Sequence, residues 1–190
     1  MKRSLGAQTL IFPTPVLIVG TYDQQGKPNA AACAWGGICC SDPAAVAVSF
    51  REHRHTYAAI SERKAFTVSI PSEKYIKEAD YFGVFSGKTE DKFASLGLTP
   101  LKSEIVDAPY VKEFPLVLEC VLLQAVHIGI HTQFIGEIKN VLAEDSVLNK
   151  DGLPDIKKIN PLVFDPAMRA YFGIGKYLDS AFSAGKKQKT

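Results

Sequence analysis

Residues 117–130 and 133–143 form two long apolar runs set around His131-Thr132, and they read as a pair of long strands. Shorter strand signals precede them. Val16-Leu17-Ile18-Val19-Gly20-Thr21 is β-branched and apolar. It is bounded by Pro15 and by the turn cluster Asp23-Gln24-Gln25-Gly26, as a buried strand entering a hairpin would be. A second strand, 28–35, is small and apolar through Asn29-Ala30-Ala31-Ala32-Cys33-Ala34. A loop is expected over 36–43 and a third strand over 45–50. Phe66-Thr67-Val68-Ser69-Ile70 alternates as a strand and stops at Pro71.

Helical signals are short and fall between these strands. Residues 57–63 change period, and Thr56 is placed to cap them. Tyr75, Ile76, Ala79 and Phe82 lie at helical spacings within 73–82. A further helix is expected over 90–96, with Gly97 as its stop. Six or more strands with short helices in the connections predict a mainly β (α+β) fold, an antiparallel barrel carrying helices. Long helices do not alternate with the strands, which argues against a doubly wound parallel sheet.

Composition narrows the function classes. The 190 residues are 46% hydrophobic and 22% charged, enough for a core, and neither repeat nor linker divides them, so one domain over 1–190 is expected. Lys and Arg total 22 against 20 Asp and Glu, which gives no general nucleic-acid footprint. No apolar run reaches the roughly 18–20 residues of a membrane span. Residues 1–8 carry no signal-peptide core, so a cytoplasmic protein is expected. Cys33, Cys39, Cys40 and Cys120 form no C-x-x-C pair and read as reduced thiols. The tail 186–190 is expected to fray.

Two segments could meet an anion. Phe50-Arg51-Glu52-His53-Arg54-His55-Thr56-Tyr57 concentrates positive charge between a strand and a helix start. Thr56 with Arg51 or Arg54 fits a phosphate cradle there, and fits equally a plain cap with solvated cations. Ser86-Gly87-Lys88-Thr89 resembles a P-loop ending, but only three residues separate Gly83 from Gly87, one too few. It reads as a glycine turn from which Lys88 and Lys92 reach an anion. His53 with His55, and His127 with His131, are spaced as metal pairs, but no glutamate motif accompanies them and no metal is expected. No G-x-G-x-x-G fingerprint is present.

The motifs gain meaning in order. Pro13-x-Pro15, the strand 16–21, Gly26-x-x-Asn29 and Ser41-Asp42-Pro43 are followed by Arg51-x-x-x-His55-Thr56. Phe85-Ser86-Gly87-Lys88-x-x-Asp91-Lys92-Phe93 and His131-x-x-x-x-Gly136-Glu137-Ile138 complete the series. Together they resemble the flavin reductase-like, FMN-binding split-barrel family over about residues 13–143. Within it the chain is most similar to electron-transfer members. The resemblance implies a homodimeric split β-barrel of antiparallel strands with FMN near the subunit interface. Cys33, Ala34 and Trp35 would line the ring, with Ser49, Phe50 and Arg51 beside it. His55 and Thr56 would hold the phosphate, aided by Ser86, Gly87, Lys88 and Lys92. His131 would approach the cofactor, and Phe164 and Tyr171 are aromatic candidates. The family often carries Ser or Thr where this chain has Cys33 and Ala34.

The residues suit that chemistry. Small side chains over 30–34 let backbone groups reach a flat ring's polar edge. Trp35 serves as an aromatic wall or as a core residue. Lys92 or His131 is expected to place positive charge near the ring. Three roles follow: an FMN electron carrier serving redox partner proteins, an NAD(P)H-dependent flavin reductase, or a non-catalytic flavin-binding protein.

Overall fold

The computed structural model describes residues 1–185; the tail 186–190, expected to fray, lies outside them. A short strand β1 (Thr14–Pro15) precedes β2 (Leu17–Tyr22), β3 (Pro28–Cys33), β4 (Gly36–Ser41) and β5 (Ala44–Phe50). Helix α1 (His55–Arg63) leads into β6 (Ala65–Ile70). A single 3-10 turn (Glu73–Tyr75), α2 (Ile76–Val84) and α3 (Lys92–Leu96) follow. The pair β7 (Pro100–Lys102) and β8 (Pro109–Val111) comes before the long hairpin β9 (Leu116–Ile128) and β10 (His131–Ala143). A 3-10 turn (Asp145–Val147), α4 (Ile156–Ile159), β11 (Val163–Asp165) and β12 (Ala170–Phe172) complete the elements.

The hairpin is the axis of the fold. Seven strands join in the order β3-β2-β6-β9-β10-β5-β4, every neighbour antiparallel. The sheet curls until β3 approaches β5, where Cys33 Sγ donates to the Ser49 carbonyl at 3.6 Å. The result is the split barrel with short connecting helices. None of the described helices is long and apolar enough to cross a membrane.

Strand β2 is buried on both faces, so it reads as a continuous apolar run. Leu17 and Val19 enter the barrel interior with Val48, Phe66, Val68 and Phe134. Val16 and Ile18 point outward into a second core formed with Phe82 of α2, Phe93 of α3 and Val111 of β8. Strand β3 follows the same rule: Ala31 and Cys33 face inward, Ala30 and Ala32 outward. Its small side chains bring two layers close to its backbone.

Several boundaries differ from expectation. Residues 36–41 are a strand, not part of a loop. β4 is the open edge of the sheet, and Ile38, Cys39 and Cys40 are exposed, so no buried alternation marks it. A bulge between Ile38 and Cys40 breaks the period further. Thr56 does not cap α1. The helix begins at His55 with Arg54 at the N-cap, and Thr56 turns inward to accept a bond from Asn29 Nδ2 at 3.2 Å. At α3 the expected stop holds: Gly97 adopts φ +64°, and Asp91 caps the start by accepting from the Ala94 N–H at 3.1 Å.

Candidate functional site

The site begins where β5 ends. Phe50 is buried, and the chain then turns through 51–54, with the Arg54 N–H donating to the Arg51 carbonyl at 3.0 Å. Arg54 makes no side-chain cap bond, so no side chain takes up the first amides of α1. The two guanidiniums of the turn diverge. Arg54 Nη1 donates to the Gly83 carbonyl in α2 at 3.2 Å. Arg51 faces His131, whose pKa is held below its ordinary value by burial first and by the Arg51 charge second.

Between these elements lies a cleft of about 440 Å³. Cys33, Ala34 and Trp35 line it from the β3–β4 corner, and Ser49, Phe50 and Arg51 from the end of β5. His131 enters from the start of β10, and Phe164 and Tyr171 from the small β11–β12 sheet. Trp35 is 41% exposed, which places it on the cleft wall and not in the core. The Phe164 and Tyr171 rings stand 5.6 Å apart, and Tyr171 donates its hydroxyl to Asp80 Oδ1 at 2.9 Å. Burial and then that bond raise the Tyr171 pKa well above the ordinary tyrosine range. It remains a neutral donor tying the wall to α2.

Cys33 is not a reactive thiol. Burial pushes its pKa up to about 11, and its sulfur donates to the Trp35 carbonyl at 3.4 Å. Among the described residues, no group of three or more His, Cys, Asp or Glu side chains is arranged to hold a metal.

His55, Thr56, Ser86, Gly87, Lys88 and Lys92 do not line this cleft; they adjoin it behind Arg54 and Gly83. A Cβ on Gly87 would collide with Asn29 Oδ1 and approach His55 Cδ2 to 2.9 Å, so loop and helix start are in direct contact. Asn29 Oδ1 and His55 Nε2 are buried without a hydrogen-bond partner. His55 Nε2 stands 3.7 Å from Asp23 Oδ2, too far for a hydrogen bond. The orphaned His55 Nε2, able to donate beside an open helix start, is what a phosphate-binding corner leaves when protein groups alone are counted, whereas Asn29 Oδ1 only accepts and offers an anion nothing.

Lys92 is the residue whose place differs most from expectation. It is 4% exposed, and its ammonium donates to the Phe82 and Phe85 carbonyls, each at 3.3 Å. It therefore secures the end of α2, and the cation that lines the cleft beside His131 is Arg51. Burial, then repulsion from Arg54, pull the Lys92 pKa down to about 8, against a smaller opposing pull from Glu90. Between about pH 8 and the ordinary value of 10.5, the unfolded chain holds a proton that folded Lys92 has released. Stability from this group should therefore rise with pH across that window. Urea denaturation at steps from pH 8 to 10.5 should show the rise in wild type and not in Lys92→Met; identical slopes would remove Lys92 as its source.

Sequence reasoning missed Val16, His53 and Gly83 as cleft residues, and offered Arg54 only as an alternative to Arg51. Val16 and Gly83 carry no chemical signal, since each reads as ordinary packing. Asn29 was visible as a motif position but not as a polar group with a free end.

The family described as flavin reductase like domain matches residues 9–172. The fold superposes on a flavoredoxin of Desulfovibrio vulgaris (Miyazaki F) with a TM-score of 0.94 and 55% identity, covering 97% of this chain and 100% of that one. A flavoredoxin from Methanosarcina acetivorans superposes with a TM-score of 0.91 at 28% identity, covering 99% of each chain. An uncharacterized protein of Archaeoglobus fulgidus is 35% identical over 130 residues, covering 68% of this chain and 72% of the relative.

Proposed function

The chain belongs to the flavin reductase like domain family, and from that premise we propose that it is an FMN-binding electron-transfer flavoprotein. The family and the cleft together support a flavin-dependent redox function. The observation that carries the reading is the cleft itself. It offers room beside small residues, and next to it, behind Arg54 and Gly83, lies the open start of α1 with the unpaired His55 Nε2.

The residues fit the group. Small side chains at Ala32, Cys33 and Ala34 leave backbone within reach of a ring's polar edge, and Trp35, Phe164 and Tyr171 supply apolar walls. Thr56, His55, Lys88 and the first amides of α1 would hold a terminal phosphate, with Arg54 beside them. Asn29 keeps Thr56 in place through its 3.2 Å bond. Gly87 packs closely on Asn29, which sets the 86–89 loop against the start of α1, and a single phosphate ending at this corner is the FMN reading. A bound flavin supplies the electron chemistry that no side chain here can supply. His131, whose pKa burial and then the Arg51 charge hold below the ordinary value, offers the ring edge a hydrogen bond.

We extend the reading to a cytoplasmic homodimer. Ile11, Phe12 and Ile38 are exposed, and Ile11 and Ile38 line a second groove of about 610 Å³ that meets the cleft at Ala34, Trp35 and Ser49. Such a surface suits a second copy. The purified chain should take up FMN, shift its visible spectrum and quench Trp35 emission, and should bind FAD and riboflavin more weakly. A protein that takes up no flavin, or that takes up all three equally, would refute the FMN reading. Anaerobic NADH or NADPH should leave the bound FMN oxidised; prompt reduction would move the assignment to a flavin reductase.

A further inference from the structure

The geometry points to a docking surface at the mouth of the cleft, centred on Arg51, for the acidic face of a partner redox protein. This rests on the flavin reading for its purpose but not for its test.

The chain's net charge is only +2, so a basic surface must come from local clustering. Lys27 pairs with Asp91, Arg63 with Asp107 and Lys139 with Glu137. Arg51 and Arg54, both exposed, have no carboxylate within 4.0 Å among the described residues. His53, between them, is exposed on the same cleft. The acids nearby keep their charge but are turned to other groups. Glu90 bonds the hydroxyls of Tyr81 and Ser95. Asp23 accepts from the Gln25 and Lys27 amides and lies beside His55. Glu52, exposed on the same turn, is the one acid among 51–54.

The divergence of the two arginines separates two tasks. Arg54 leans to Gly83 and the phosphate corner, so a bound cofactor tail would neutralise it. Arg51 leans to His131, and its exposed charge has no carboxylate beside it. Exposed apolar side chains sit among these cations: Trp35 on the cleft, and Val84 and Phe85 directly after Gly83. An apolar centre with a charged rim is the usual make-up of a transient protein interface, where rim charge steers encounter. The cations are exposed where they line the cleft. That suits a broad acidic surface better than the narrow tail of a dinucleotide.

Trp35 is the single tryptophan of the chain and reports directly on this mouth. The probe is poly-L-glutamate, titrated into the full-length protein with and without bound FMN, with Trp35 emission and anisotropy as readouts. Binding should appear at low salt and fade as salt rises. Arg51→Gln should weaken it by about threefold to fivefold and Glu52→Gln should tighten it, while Lys150→Gln, an equal charge change away from the cleft, should leave it unchanged. Absence of binding at low salt, or equal weakening by Arg51→Gln and Lys150→Gln, would overturn the proposal. Tighter binding of 2′-phospho-ADP-ribose than of poly-L-glutamate at equal salt would overturn it in favour of a nucleotide. Failure of the wild type to take up FMN counts against the flavin reading alone, because the titration of the flavin-free protein still reads the surface.

Discussion

Phe66→Ala is expected to destabilise the fold by about 3–5 kcal/mol, a large part of the stability of a domain this size. Phe66 is fully buried in β6 and packs in the barrel interior with Val19, Val48 and Phe134. Its ring also sets the identity of a residue two strands away. A Cβ on Gly136 of β10 would come within 2.5 Å of Phe66 Cζ and 3.0 Å of Cys120 Cβ. The absence of a side chain at Gly136 and the phenyl at Phe66 are thus one packing solution. Gly136→Ala alone should cost about 1–3 kcal/mol by overpacking. In the double variant the new methyl enters space the ring has vacated, so the loss should fall clearly short of the sum of the two single losses. Urea denaturation followed by Trp35 emission measures all three. Additive losses would show that Gly136 and Phe66 are not one packing solution, and a loss under about 1 kcal/mol for Phe66→Ala would show that the interior tolerates a hole there.

The interior strands were readable because burial leaves a periodic mark. β2, β5, β6 and the β9–β10 hairpin carry β-branched residues on faces that must be dry, and their bounds fell close to expectation. β4 carries no such mark: its order comes from backbone bonds to β5, which any side chain permits. The same holds for β1, β11 and β12, whose two- and three-residue strands are too short to show a period. The site divides in the same way. Charged and aromatic cleft residues, such as Arg51, His131 and Tyr171, announce their chemistry, whereas Ala32 and Gly83 contribute by being small. Thr56 shows where the limit lies. Its type and place before a helical run suit a cap, and only the approach of Asn29 from β3, a contact 27 residues distant in the chain, turns it inward.

Gly87→Ala should lower FMN affinity about 10- to 100-fold while leaving the barrel folded. The added methyl meets Asn29 Oδ1, with Asn29 Cγ at 2.8 Å and His55 Cδ2 at 2.9 Å. Neither neighbour can retreat cheaply. Asn29 is buried and donates to Thr56, and His55 is backed by Asp23, whose carboxylate accepts the Gln25 and Lys27 amides at 3.0 and 2.8 Å. The loop must give way instead. It is held by its own bonds, with the Ser86 carbonyl accepting from the Thr89 and Glu90 amides at 3.1 Å each, so it should shift as a unit and carry Ser86 and Lys88 off the phosphate corner. An overpacking cost of about 1–3 kcal/mol, placed on the bound geometry, gives the expected loss. Gly175→Ala, where a Cβ meets nothing within 4 Å, is the matched control and should bind as wild type does. Fluorescence titration with FMN reads the affinity and thermal unfolding reads the fold. Unchanged affinity in Gly87→Ala would remove the loop 86–89 from the flavin site and leave α1, with Thr56 and His55, to hold the phosphate alone.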